Sequence, residues 1–133
     1  KDKWIAFVSV REGIQDIHVM SDEGSDQIRL TKDPAEDYDL AWSPDGKRLV
    51  YVSEEDGNPE IYVVKADGTE QERLTFNNFP DVRPVWSPDG RRISFVSHHS
   101  ESSDLFIMEA DGNDQIRLTS NPGEDFMPSW FAN

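Results

Sequence analysis

The chain contains no cysteine, which excludes disulfide cross-links and thiolate metal sites and leaves the redox compartment open. No apolar run approaches the roughly 20 residues of a membrane-spanning helix. Basic residues are scarce: 13 Lys and Arg face 27 Asp and Glu, a net charge of −14. Such a surface repels phosphate, which argues against nucleic acid and anionic membranes and favours basic proteins, basic peptides or cations. It also keeps a β-rich chain with many strand edges soluble. Helical periodicity is missing, because Gly and Pro, eight of each, interrupt every window that would hold a helix. The familiar catalytic signatures are absent as well: no Gly-x-Ser-x-Gly elbow, no phosphate loop, no His-Glu-x-x-His. Carboxylate pairs are too common in so acidic a chain to argue for glycoside hydrolysis. The residues therefore predict a protein that is not an enzyme.

What the chain does have is a strict repeat. Trp42-Ser43-Pro44-Asp45-Gly46 returns 44 residues later as Trp86-Ser87-Pro88-Asp89-Gly90, and Trp130 follows after the same interval, with Phe131-Ala132-Asn133 in place of the turn. Arg29-Leu30-Thr31 recurs at Arg73 and Arg117, and Asp37 recurs at Asp81 and Asp125, with no insertion anywhere. A repeat of this length indicates stacked supersecondary units. Pro-Asp-Gly is turn chemistry, and a tryptophan before it with apolar residues after it reads as a β-hairpin bend. Each unit reads as four short strands: Asp81–Trp86 (A), Arg92–Ser97 (B), Ser103–Glu109 (C) and Gln115–Thr119 (D) in the second complete copy. The fold class is all-β, built from four-stranded antiparallel propeller blades, three per chain. The whole chain is one half-ring domain, with repeats at about 1–44, 45–88 and 89–132.

Trp-Ser-Pro-Asp-Gly, an apolar strand ending in Ser, Ile61-Tyr62-Val63 with Ala66-Asp67-Gly68, and then Arg-Leu-Thr together resemble the WD40-like blade of TolB-type propellers. The resemblance covers the whole chain. It implies a periplasmic or extracellular protein that binds other proteins or peptides. It also implies an alternative, because related propellers occur beside peptidase domains and in polysaccharide-degrading enzymes: a ligand- or cation-binding propeller, or an accessory domain of a hydrolase or lyase. Members of that family usually have six or more blades.

Three blades are too few to close a ring, since propellers need about four to eight. The chain opens on a B strand (Trp4–Val10) and finishes on an A strand (Phe126–Phe131). Two chains are therefore expected to join head-to-tail into a six-bladed homodimer by strand exchange, each A strand completing the first blade of the other copy. Trp4, Trp130 and Phe131 fall at that seam. A half-propeller cut from a longer parent is the other reading.

Residues that differ between copies while lining the channel are the better binding candidates. Strand A is innermost, so Asp39, Arg83 and Met127, with Tyr38 and Phe126, are the channel and ligand-binding candidates; Asp39 and Arg83 come first. Asp37, Asp81 and Asp125 could form a carboxylate ring that holds calcium. Their presence in every copy favours instead a structural role in the loop between blades, and no cofactor is expected. Arg29, Arg73 and Arg117 are expected to pair with carboxylates across strands. His18 replaces Tyr62 and Phe106 and should pack as a flat ring, and His98 and His99 read as hairpin residues.

Overall fold

The structure, a computed structural model, describes residues 3–132, so Lys1, Asp2 and Asn133 lie outside the described residues. Three antiparallel sheets follow one another along the chain. Blade 1 holds β1 (Trp4–Arg11), β2 (Ile14–Ser21) and β3 (Ile28–Arg29). Blade 2 holds β4 (Asp37–Trp42), β5 (Arg48–Ser53), β6 (Glu60–Lys65) and β7 (Glu72–Arg73). Blade 3 holds β8 (Asp81–Trp86), β9 (Arg92–His98), β10 (Ser103–Glu109) and β11 (Ile116–Arg117). No helix occurs among the described residues. Each complete blade is a meander of four neighbouring strands, as the turn spacing predicts.

The Trp-Ser-Pro-Asp-Gly turn is held by its own side chains. Ser43 Oγ donates to Asp45 Oδ1 at 2.6 Å and accepts from the Arg48 N–H at 3.0 Å, while Asp45 Oδ1 also accepts from the Lys47 N–H at 3.0 Å. Ser87 and Asp89 repeat the arrangement at 2.6, 2.9 and 3.0 Å. These contacts satisfy the backbone donors that a tight hairpin leaves unpaired. They also pull the Asp45 and Asp89 carboxyls below the usual range, the serine hydroxyl being the main cause. Gly46 and Gly90 take the left-handed conformation that closes each turn, with φ of 68° and 71°.

The core consists of layers between blades. Ile17, Val19 and Leu30 of blade 1 pack on Leu49, Tyr51, Tyr62 and Val64 of blade 2. Val50, Val52, Ile61 and Val63, on the other face of blade 2, pack on Ile93, Phe95 and Met108 of blade 3. A blade buried on both faces needs continuous rather than alternating apolar strands, which is why β5 reads Leu-Val-Tyr-Val. Facing aromatics recur at one register: Phe7 over His18 with ring centroids 5.7 Å apart, Tyr51 over Tyr62 at 5.8 Å and Phe95 over Phe106 at 5.5 Å. His18 is thus a stacked ring, and burial, aided by Arg11 and Arg29, lowers its pKa. Trp86 Nε1 donates to the Ala41 carbonyl at 3.2 Å and ties blade 3 to blade 2. Blade 2 touches both neighbours, whereas blades 1 and 3 do not meet among the described residues. The three sheets form an arc.

Two expectations need correction. The outer strands are shorter than Gln115–Thr119: β11 is only Ile116–Arg117, because the chain curls beyond it, with Arg117 Nε reaching forward to the Thr119 carbonyl at 2.8 Å. Phe126–Phe131 is not a strand, because among the described residues no B strand lies beside it to supply a ladder.

Candidate functional site

The innermost strands β4 and β8 carry the channel candidates, and both bulge at the same place. The pairing of β4 with β5 slips between Tyr38 and Ala41, and that of β8 with β9 slips between Val82 and Val85. The residue responsible is left-handed in each: Asp39 at φ 52° and Arg83 at φ 54°. A bulge adds one residue and re-aims its side chain, and here it leaves Asp39 and Arg83 exposed between neighbours that are covered. Left-handed backbone at a non-glycine residue costs of order 1 kcal/mol or more, and such strain collects at functional positions. Pro84 fits inside β8 because a bulge has no ladder bond at that point. Neither Asp39 nor Arg83 belongs to an ion pair among the described residues, so the two charges do not pair with each other within one chain. Met127 takes the same backbone, φ 62°, and it and Phe126 are exposed. Tyr38 is half-buried, and its hydroxyl donates to Glu54 Oε1 at 2.8 Å.

Asp37 and Asp81 begin β4 and β8 and are fully buried. Burial raises both carboxyls to about 6, with Ser53 and Thr31 opposing the rise at Asp37, and Ser97 and Asn77 at Asp81. Asn77 Nδ2 donates to Asp81 Oδ2 at 2.6 Å, and Asn121 Nδ2 to Asp125 Oδ2 at 2.8 Å. In blade 2 the same repeat position is Asp33, which has no amide to give. Asp37 accordingly receives no amide hydrogen bond, and the Ser53 and Thr31 hydroxyls beside it, outside strict hydrogen-bond geometry, are what favours its charged form. Three His, Cys, Asp or Glu side chains that could share a metal ion do not converge among the described residues.

The outer arginines have partners that recur as they do. Arg29 pairs with Asp16 at 2.8 Å, Arg73 with Glu60 at 3.1 Å and Arg117 with Asp104 at 2.6 Å; all three carboxylates are buried. Each arginine Nε also donates to the carbonyl of the threonine two residues on, at 2.9, 2.7 and 2.8 Å. That threonine's hydroxyl accepts the backbone N–H of Ile17, Ile61 or Leu105 at 3.0, 2.9 and 3.0 Å. Arg-Leu-Thr is therefore the clasp between the two outer strands of each blade, with Asp16, Glu60 and Asp104 as its other half. Those three acids were legible in the sequence by their common spacing.

The remaining candidates are placed individually. His98 Nδ1 contacts Ser103 Oγ at 2.5 Å, while His99 packs tilted against Phe79 at 4.3 Å and stacks on Phe106 at 5.9 Å, so the two imidazoles have separate partners. Trp4 lines a groove of about 340 Å³ with Val19, Ile28, Trp42 and Ala66, between blades 1 and 2. At the next junction Arg48 takes its place, stacking 4.8 Å above the Trp86 ring. Trp130 Nε1 donates to Ser94 Oγ at 3.0 Å, and Phe131 is exposed.

With this geometry established, comparison with known proteins identifies the blades. The sequence profile of the TolB beta propeller domain matches residues 2–84. The crystal structure of TolB from Acinetobacter baumannii superposes with a TM-score of 0.75 at 26% identity, over 88% of this chain and 30% of that one. A protein assigned as TolB in Agrobacterium tumefaciens gives 0.83 at 24% identity, over 96% of this chain and 50% of that one. Oligogalacturonate lyase in complex with manganese shares the fold at 0.61 and 21% identity, over 76% of this chain and 28% of that one. A search of curated protein sequences finds no match. The chain spans half or less of the TolB structures it resembles. The matched profile, the recurring four-stranded sheets and the shared turn chemistry place this chain in the TolB β-propeller family.

Proposed function

We propose that the protein is a non-enzymatic scaffold that binds a protein or peptide segment along the channel wall, in a six-bladed ring that two copies complete. The observation behind it is the pair of matched bulges. They project Asp39 and Arg83 from innermost strands, unpaired and exposed, at positions where the repeat changes its side chain. A rigid wall with varied, strained, exposed residues suits recognition rather than packing. The charge of −14 favours a basic segment. Membership of the family supports a periplasmic or extracellular setting.

The test is fluorescence anisotropy with a labelled extended peptide rich in Lys and Arg. Asp39→Ala should weaken binding about five- to tenfold, of the order expected for one charge at a recognition surface. Asp114→Ala removes the same charge from an exposed outer turn and should leave affinity unchanged. Equal losses in the two variants would mean that only the overall charge attracts the peptide, and the channel reading would fail.

A further inference from the structure

We infer that the groove between the β4–β5 turn and the β6–β7 turn of blade 2 binds a carboxylate-bearing segment of an acidic partner protein, with Arg48 and Lys47 holding the carboxylate. This goes beyond the channel reading and does not depend on it. Both turns belong to blade 2, which has a neighbour on each side, and they lie at the far end of β4 from Asp37.

The observation is a pair of like charges that the repeat does not require. Arg48 stands directly opposite Lys65 across β5 and β6. Like charges facing each other in a sheet are destabilising. The same pair in blade 3 is Arg92 and Glu109, with Nε and Oε1 3.2 Å apart, and in blade 1 it is Trp4 and Ser21. The fold therefore accepts an acid at this position and does not need a second cation. Lys65 has an exposed partner in Glu70. Arg48 and Lys47 belong to no ion pair among the described residues. Trp86 lies 4.8 Å below the Arg48 guanidinium and fixes its plane. A guanidinium stacked on an indole keeps its N–H edge free, and that edge matches a carboxylate through two parallel hydrogen bonds.

The groove beside these cations has a volume of about 450 Å³ and is walled by residues 45–48 and 65–67. The Ala66 N–H donates to the Lys47 carbonyl at 2.9 Å and ties the two turns together. Two acids stand in the wall, but each is turned back into its own turn. Asp45 Oδ1 accepts from the Ser43 hydroxyl at 2.6 Å and the Lys47 N–H at 3.0 Å. Asp67 Oδ1 accepts from the Thr69 N–H at 2.9 Å and the Thr69 hydroxyl at 2.6 Å. Three cations thus outnumber two acids here, in a protein whose net charge is −14. Carboxylates farther away are screened beyond about 8 Å at physiological ionic strength. Gly46, Ala66 and the methylene stems of two lysines add apolar surface to the wall. A carboxylate carried on a chain with methylenes of its own covers that surface, whereas a bare inorganic anion leaves it wet.

Fluorescence anisotropy with rhodamine-labelled tetraglutamate, at low ionic strength, tests the groove on the full chain. Binding should saturate. Arg48→Gln and Lys47→Gln should each weaken it about five- to tenfold. Arg92→Gln removes the same charge at the same repeat position of blade 3 and should leave it unchanged. Lys65→Glu copies the pairing of blade 3, so it should abolish binding while raising the urea midpoint of unfolding. Asp39→Ala should not weaken tetraglutamate binding, so failure of the channel reading and failure of this one are told apart. Absence of saturation, or equal losses in Arg48→Gln and Arg92→Gln, would overturn the inference. So would a lowered urea midpoint in Lys65→Glu, which would make Lys65 a residue of the fold. Displacement of the peptide by an equal concentration of inorganic phosphate would overturn the assignment to a peptide, since the groove would then read the charge alone.

Discussion

Asp33→Asn is a near-isosteric change that should stabilise this protein. Asp81 and Asp125 each accept an amide hydrogen bond from the asparagine four residues earlier, at 2.6 and 2.8 Å. Asp37 faces Asp33 instead, and the Asp33 charge adds to the burial that raises its carboxyl to about 6. The local turn does not depend on the acid. Asp33 Oδ1 caps the Ala35 N–H at 3.0 Å, and Asn77 Oδ1 caps the Phe79 N–H at 2.8 Å with the same geometry. Asparagine at position 33 would therefore keep the cap, remove a like charge and supply a donor to a buried carboxylate. Hydrogen bonds to charged groups contribute about 1.5–3 kcal/mol, and that range is the expected gain at pH 7.5. At pH 4.5 Asp37 is protonated and most of the gain should vanish. Urea unfolding at both pH values, at one fixed protein concentration, measures it. No gain at pH 7.5, or an equal gain at both pH values, would refute the view that Asp37 is a charged group short of an amide donor.

Three further outcomes follow from the same geometry. Asp37 and Asp81 have folded pKa values of about 6 against a reference of 3.8, so the folded state binds more protons between those values. Stability should fall as pH rises from about 4 to 6, by about 3 kcal/mol per group, and Asp37→Asn with Asp81→Asn should flatten that fall in pH-dependent denaturation curves. Arg73→Ala would leave Glu60 buried beside Thr75 without its cation, costing about 2–4 kcal/mol by urea unfolding, while Arg73→Lys should cost less. Calorimetric titration with calcium should give no saturable heat; a binding isotherm abolished by Asp81→Asn would revive the carboxylate-ring reading.

Repetition along the chain determined the blade, its turns and its strand order. Every copy needs the same local bonds, so Ser43-Pro44-Asp45-Gly46 and Arg73-Leu74-Thr75 recur and can be read without coordinates. The clasp acids Asp16, Glu60 and Asp104 were equally visible by spacing, but aspartate and glutamate alternate there in so acidic a chain that the signal is easily passed over. The bulges at Asp39 and Arg83 were not legible. A left-handed residue leaves no fixed side-chain signature, and aspartate, arginine and methionine all occupy the position. Tertiary structure alone decided which faces are covered. Leu30, Leu74 and Leu118 are one residue type at one repeat position, and only the neighbouring turn distinguishes a buried leucine from an exposed one. Likewise, Phe126–Phe131 carries the sequence of an inner strand, but a strand exists only where another edge supplies its hydrogen bonds.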